Sequence, residues 1–175
     1  SEMCIRDSYK SYVYYNWNSD FFMNFCPVCS SAEIVKKIPE GDNREREVCN
    51  NCGEIFYTNP NIVTGVLAYT DNDELILCKR SIEPRHGYWT LPAGFMENYE
   101  TVEDGARRET MEEAGAKSKK IDLFLMCNLP HISQVYMMYH GKLEDGKYEA
   151  GIESTEVKLF SKDEIPWKEI AFTVI

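Results

Sequence analysis

Three glutamates, Glu109, Glu112 and Glu113, are separated by spacings of three, four and one. In a helix, such spacings put their side chains on one side, with Cβ atoms about 5–6 Å apart. Two carboxylates at that separation repel by roughly 3 kcal/mol at an effective dielectric of about 20. They also lie toward the negative end of the helix dipole, where anions are disfavoured. A divalent cation would turn the repulsion into coordination, and hard carboxylate oxygens suit Mg²⁺ or Mn²⁺. Alone, an E-x-x-E-E cluster fits a solvated acidic face better. A second set of ligand-type residues lies upstream, as Cys26-x2-Cys29-x19-Cys49-x2-Cys52. Each C-x-x-C knuckle can clamp one side of a tetrahedral Zn²⁺. Four thiolates leave no open coordination position, so such a zinc is structural. Two disulfides or a redox C-x-x-C are the alternatives.

The elements that must position these groups follow from periodicity and punctuation. Thr101 and Asp104 form a capping box and Gly115 a left-handed stop, so residues 102–114 are expected as a helix. Its thin inner face is Val102, Ala106, Thr110 (or Met111) and Ala114. Residues 61–69 and 74–79 read as a hairpin around Asp71-Asn72-Asp73. A loop follows, punctuated by Pro84, Gly87, Pro92 and Gly94, and further strands are expected at 121–127, 134–140 and 156–160. Asp163–Trp167 marks a turn, and the closing AFTVI reads as the start of a helix cut short. Residues 1–22 show no periodicity and are read as a non-native or disordered leader, with Met23 as the natural start. An aromatic docking arm is the alternative. The division expected is a cysteine ribbon over 23–57 and a larger domain over 58–175.

Bulk properties narrow the partners. The 175 residues carry a net charge of −10, which argues against broad binding to nucleic acid or anionic membrane. The ribbon has Lys36, Lys37, Arg44 and Arg46 but also Glu33, Glu40, Asp42, Glu45 and Glu47, a poor footprint for a phosphate backbone. Seven cysteines and no secretory signal point to a reducing, cytoplasmic setting. The three histidines, His86, His131 and His140, have no ligand spacing.

The wider context of the acidic helix decides between its two readings. Gly94-x5-Glu100-x7-Arg108-Glu109-Thr110-x-Glu112-Glu113-x-Gly115-Ala116 resembles the Nudix signature G-x5-E-x7-R-E-U-x-E-E-x-G-U at every fixed position. Thr110 departs from the usual bulky aliphatic residue, and Ala116 is a small final apolar position. The lead-in Gly87–Gly94 (GYWTLPAG) is also similar to the family's. The resemblance implies an α+β fold, a Nudix α/β/α sandwich with a mixed sheet, preceded by the small Cys4 zinc ribbon. It implies an ion pair between Glu100 and Arg108 that pins loop to helix, with Gly94 and Gly115 as structural positions. Glu109, Glu112 and Glu113 are implied as Mg²⁺ or Mn²⁺ ligands, with the Ala93 carbonyl beside them. A further carboxylate completes such sites; Glu153 is the first choice and Glu156 the second.

Two Nudix groups carry an N-terminal Cys4 ribbon. The NADH pyrophosphatase group has an S-Q-P-W-P-F-P signature after the box, and Leu123–Tyr139 (LFLMCNLPHISQVYMMY) lacks it. The FAD and ADP-ribose pyrophosphatase group of plant chloroplast type is similar through IPEGDNREREVCNNCG, FYTNPNIVTG, LCKRSIEPRHGYWTLPAGFMENYET and LFSKDEIPW. That likeness implies cleavage of FAD to FMN and AMP, or of ADP-ribose to AMP and ribose 5-phosphate, by an enzyme that often works as a homodimer. Tyr57, Arg80, Arg85, Trp89, Gln134 and Tyr136 are candidate substrate contacts. The alternatives are hydrolysis of NADH or of nucleoside triphosphates, and a ribbon–Nudix protein that binds a nucleotide or partner without cleaving it.

Overall fold

The computed structural model describes residues 23–144 and 146–172, and the leader expected over 1–22 lies outside them. The chain forms two compact units divided between Asn59 and Pro60. The first holds β1 (Ile34–Lys37), β2 (Arg46–Cys49) and β3 (Ile55–Phe56) in one antiparallel sheet. Its core is Cys26, Ile34 and Cys49, with Met23, Cys29 and Phe56 packed against them. Half of that cluster is cysteine, so little apolar side chain is available to hold it.

The second unit is built on a seven-stranded mixed sheet. Its strands are β4 (Asn61–Tyr69), β5 (Leu75–Arg80), β6 (Trp89–Thr90), β7 (Ala93–Phe95), β8 (Asp122–Leu129), β9 (Gln134–Lys142) and β10 (Ser154–Phe160). The main path is β10-β5-β4-β9-β8, with β6 on β5 and β7 on β4. β4 and β9 run parallel over their full length, and the remaining pairs are antiparallel. The central strand β4 is buried on both faces, as its apolar run NIVTGVLAY requires.

A single α-helix is present among the described residues, α1 (Val102–Ala114), and it covers one face. Val66, Ala68, Ala106, Ile121 and Tyr139 pack there, and next to them Ile76, Cys78, Ala114 and Ala116. The opposite face holds Val63, Leu77, Trp89, Leu91, Tyr136, Met138 and Phe160. Ile165 and Ile170 close on it from short 3₁₀ turns at Lys162–Glu164 and Trp167–Glu169. The helix expected to begin at AFTVI is not formed through Phe172, and 173–175 lie outside the described residues.

Two local features depart from the expectations. The loop after β5 contains β6 and β7, which pair with β5 and β4 where those strands diverge; β4 and β5 pair directly only at Tyr69 and Leu75. Strands of two and three residues leave no period to detect. At the N-cap of α1, the Thr101 hydroxyl accepts from the Asp104 N–H at 3.1 Å and donates to the Asp104 carboxylate at 2.7 Å. The acid therefore takes the hydroxyl proton rather than a backbone N–H. Gly115 ends the helix in the left-handed region, at φ 57°. Thr110 is the inward residue and Met111 the exposed one, and the Thr110 hydroxyl donates to the Ala106 carbonyl at 2.7 Å.

Candidate active site and metal centres

The acidic site forms where α1 packs on β4 and β7. Arg108 organises it. Its Nε and Nη2 donate to the two carboxylate oxygens of Glu100 at 3.0 and 2.8 Å. Nη2 also donates to the Phe95 carbonyl at 3.0 Å, while Nη1 reaches Glu109 at 2.6 Å and Glu112 at 3.1 Å. One planar guanidinium thus joins β7, the loop before the helix and two helix acids. The Arg108 guanidinium holds Glu100 below the usual carboxylate range, helped by the N–H of Glu97 at 2.6 Å. The balance of charge is therefore less adverse than glutamate spacing alone suggests, because a cation stands among the acids.

Glu113 is the exception. Arg108's donors go elsewhere, and the Glu113 carboxylate accepts from the Ala93 N–H at 3.1 Å. It is 7% exposed. Burial pushes its carboxyl up to about 8, reinforced by the charges of Glu109 and Glu153 and opposed by the Ala93 N–H and Arg80. Glu153 and Arg80 therefore lie within electrostatic reach of Glu113. Glu156 instead sits on β10 with its carboxylate 3.9 Å from Lys79. Gly94 lies directly against Glu109: an added Cβ would stand 2.5 Å from the carboxylate carbon. The missing side chain at Gly94 is what permits this close approach. A buried carboxylate with two other acids around it is a set of hard oxygen donors, which fits a divalent cation.

In the ribbon, the Sγ atoms of Cys26, Cys29, Cys49 and Cys52 all lie within 4.8 Å of one another. Cys26 and Cys52 are 3.7 Å apart and Cys29 and Cys49 3.6 Å. A tetrahedron with Zn–S bonds of about 2.3 Å has edges of about 3.8 Å, so the cluster matches the ion. Each knuckle closes on a left-handed residue, Ser30 at φ 60° and Gly53 at φ 78°. The side chain of Asn51 and the N–H of Ser31 lower the Cys29 thiol to about 6. Cys52 is pushed up to about 12 despite the N–H of Glu54, through desolvation and hydrogen bonds shared with the other three sulfurs. A divalent metal held by these four cysteines would resolve this competition by taking the place of the protons.

The candidate substrate contacts separate. Arg80 acts on Glu113, donates through Nε to the Pro84 carbonyl at 2.8 Å and lies 5.2 Å from the Phe172 ring. Arg85 is exposed over Tyr88. Gln134 is buried at the start of β9, opposite Asn61 and Leu129. Trp89 and Tyr136 belong to the core on the face away from α1, where Trp89 meets Phe160 edge-on at 4.9 Å. Both rings are buried in that packing. Tyr57, in the ribbon unit, is 62% exposed beneath the Arg46 guanidinium. Sequence reasoning missed Cys78, whose thiol is buried within reach of Glu113 and raised by that burial and by the Glu113 charge. No motif marks it.

Comparison with known proteins accords with this geometry. Residues 59–173 match the NUDIX domain family and residues 24–58 the Nudix N-terminal family. A NUDIX hydrolase structure from Nitrosomonas europaea is 50% identical, covers 87% of this chain and 86% of that one, and superposes with a TM-score of 0.82. The NAD-capped RNA hydrolase NudC of Photobacterium profundum is 29% identical over 143 residues, 79% of this chain and 50% of that protein. NudC of an Enterobacter species is 36% identical over 97 residues, 55% of this chain and 35% of that protein. The chain thus spans half or less of the length of these curated relatives. The NUDIX domain of Shewanella oneidensis NrtR, solved with ADP ribose, shares the fold at 20% identity and a TM-score of 0.59, over 67% of this chain and 82% of that one. With the signature residues assembled on α1 and β7 and the cysteine ribbon upstream, the chain belongs to the Nudix family.

Proposed function

We propose that this protein hydrolyses the pyrophosphate bond of a nucleoside diphosphate linked to another moiety, with FAD and ADP-ribose as the preferred substrates. The observation that carries the reaction type is the buried Glu113 beside Glu109, both fixed against β7 by Ala93 and Gly94. Glu109, Glu112, Glu113 and Glu153, with the Ala93 carbonyl, would hold Mg²⁺ or Mn²⁺. When bound, such cations neutralise the diphosphate and activate water. Arg108 orients Glu109 and Glu112, and Arg80 supplies positive charge for the substrate phosphates. The four ribbon cysteines would hold a structural Zn²⁺. The choice of FAD or ADP-ribose rests on the motif likeness across both units and on the absent S-Q-P-W-P-F-P stretch.

The relatives named NAD-capped RNA hydrolases favour a second reading, in which the diphosphate belongs to a nicotinamide dinucleotide, free or attached to RNA. The acidic charge argues only against broad backbone contact and does not reach that chemistry. Incubating the protein with FAD, ADP-ribose, NADH, a nicotinamide-capped RNA and dGTP in Mg²⁺ distinguishes the readings. AMP with FMN or ribose 5-phosphate is the expected product set. Turnover confined to NADH or capped RNA gives the second reading, and pyrophosphate release gives a triphosphatase. Tight nucleotide binding without turnover, unaffected by Glu113→Gln, would mark a sensor.

A homodimer belongs to the same proposal. Edge strand β8 leaves Leu123, Phe124, Leu125 and Met126 exposed, an apolar run that a second copy would cover. Sedimentation at micromolar concentration tests it, and a monomer there rules the dimer out.

A further inference from the structure

We infer that Gly151 is a positioning residue: by seating the segment 149–154 on the last turn of α1, it sets where Glu153 stands relative to Glu113. The inference deepens the proposed reading of Glu153 as the carboxylate that completes the site, and rests on it. The last carbonyls of any helix lack intrahelical partners. Here the N–H of Glu149 donates to the Ala114 carbonyl at 2.9 Å and the N–H of Gly151 to the Glu113 carbonyl at 3.1 Å. The fit leaves no room for a side chain. A Cβ on Gly151 would overlap the Glu112 carbonyl oxygen and stand 2.8 Å from its carbon. On the facing side, a Cβ on Gly115 would stand 2.8 Å from Glu149 Cγ and 3.1 Å from its backbone nitrogen. The atoms facing Gly151 are all helix backbone, so that side cannot yield by turning a side chain.

From that seat the chain has two residues in which to reach β10. The Ser154 N–H turns back to the Gly151 carbonyl at 3.2 Å. The Ser81 N–H holds the Glu153 carbonyl at 2.9 Å and the Ser81 hydroxyl holds the Ile152 carbonyl at 3.1 Å. Ile152 is 84% exposed, so its side chain plays no part in the seating. Glu153 is therefore fixed from both ends: by the end of the helix that carries Glu113, and by the end of β5 that carries Arg80. The same contact brings two N–H dipoles to a helix terminus crowded with carboxylates, where positive ends are favoured.

Alanine at 151 must lift the segment off the helix and move Glu153. In the full chain, Gly151→Ala is expected to lower Mn²⁺ affinity, followed by electron paramagnetic resonance, and kcat on the best substrate, each by about 10- to 100-fold, as for other groups that orient metal ligands. KM should change less than kcat. Ile152→Ala should behave as the native protein. The deciding measurement is the double variant. If Gly151 acts through Glu153, Gly151→Ala combined with Glu153→Gln is no worse than Glu153→Gln alone. Should Gly151→Ala fail to fold, Ser81→Ala loosens the same segment more gently and gives a smaller loss with the same non-additivity. Full additivity overturns the inference, as does native behaviour of Gly151→Ala beside an impaired Glu153→Gln. Native behaviour of Glu153→Gln removes the reading of Glu153 itself, and the positioning role with it.

Discussion

Arg108 and Glu113 show how one helix turn carries two different electrostatic solutions. Arg108 has 21% of its side chain exposed and spreads its donors over Glu100, Glu109, Glu112 and the Phe95 carbonyl. Removing it would leave Glu100 and Glu109 largely buried without the cation they share, so Arg108→Ala should cost about 2 kcal/mol of stability. Arg108→Lys keeps the charge but loses the two-point geometry, and should recover less than half of that in urea melts. Recovery to native stability would show that charge alone matters at this position. Glu113 gains no such partner, and its proton is held more tightly in the folded chain than in the unfolded one. The sign follows directly. A carboxyl raised to about 8 contributes stability that is fully present below the ordinary glutamate value of about 4.3, and that stability is lost as pH rises through about 8. With the ribbon metal retained and Mg²⁺ and Mn²⁺ dialysed away, the native protein should lose Tm relative to Glu113→Gln between about pH 5 and about pH 9. Parallel Tm curves for the two proteins would mean that Glu113 ionises normally. Added Mg²⁺ should restore the native protein most at high pH, because the ionised carboxylate is the form that coordinates.

At the scale of elements, α1 was legible because several local signals agree on its limits. Thr101 and Gly115 bound it, and Glu109 and Glu113 lie on the side turned toward β7. The long strands were legible for a similar reason, since Val, Ile and Tyr runs flanked by turn residues repeat often enough to read. What stayed hidden was the short pairing that brings the loop to the helix. β6 and β7 owe their form to the parting of β4 and β5, a tertiary event with no local period. The burial of Trp89 and Tyr136 in the core stayed hidden for the same reason, because an aromatic in a motif-rich stretch looks the same in sequence whether its ring is buried or open. The seat of the 149–151 segment was equally invisible. The β7–α1 approach makes a separable prediction. The atoms nearest a Cβ at Gly94 are the end of the Glu109 side chain, which can swing aside. Gly94→Ala should therefore cost little Tm while lowering turnover by about 10- to 100-fold, since a displaced ligand is lost to the site. A large Tm loss with turnover preserved in the folded fraction would show that the glycine serves the backbone and not the carboxylate.

At the scale of the molecule, the two units depend on different sources of stability. The sheet unit buries apolar side chains on both faces of β4, β5 and β9, and needs no ion to hold them. The ribbon unit has Ile34, Met23 and Phe56 around its cysteines, and units of this size rarely fold on a core alone. Within the cluster Cys29 is lowered to about 6, while desolvation and the other sulfurs push Cys52 up to about 12. Four deprotonated sulfurs within 4.8 Å require a cation. Stripping the metal with a chelator at neutral pH should therefore release four thiols to a colorimetric reagent. It should also abolish amide protection in β1, β2 and β3, while protection in β4, β5 and β9 persists, because the apolar clusters on that sheet contain none of the ribbon cysteines. Cys49→Ser should reproduce the effect without chelator, since Cys49 is both a ligand and a fully buried member of the ribbon core. Protection in β1 to β3 that survives chelation would show that the cysteine cluster folds on packing, against the metal dependence argued from its composition.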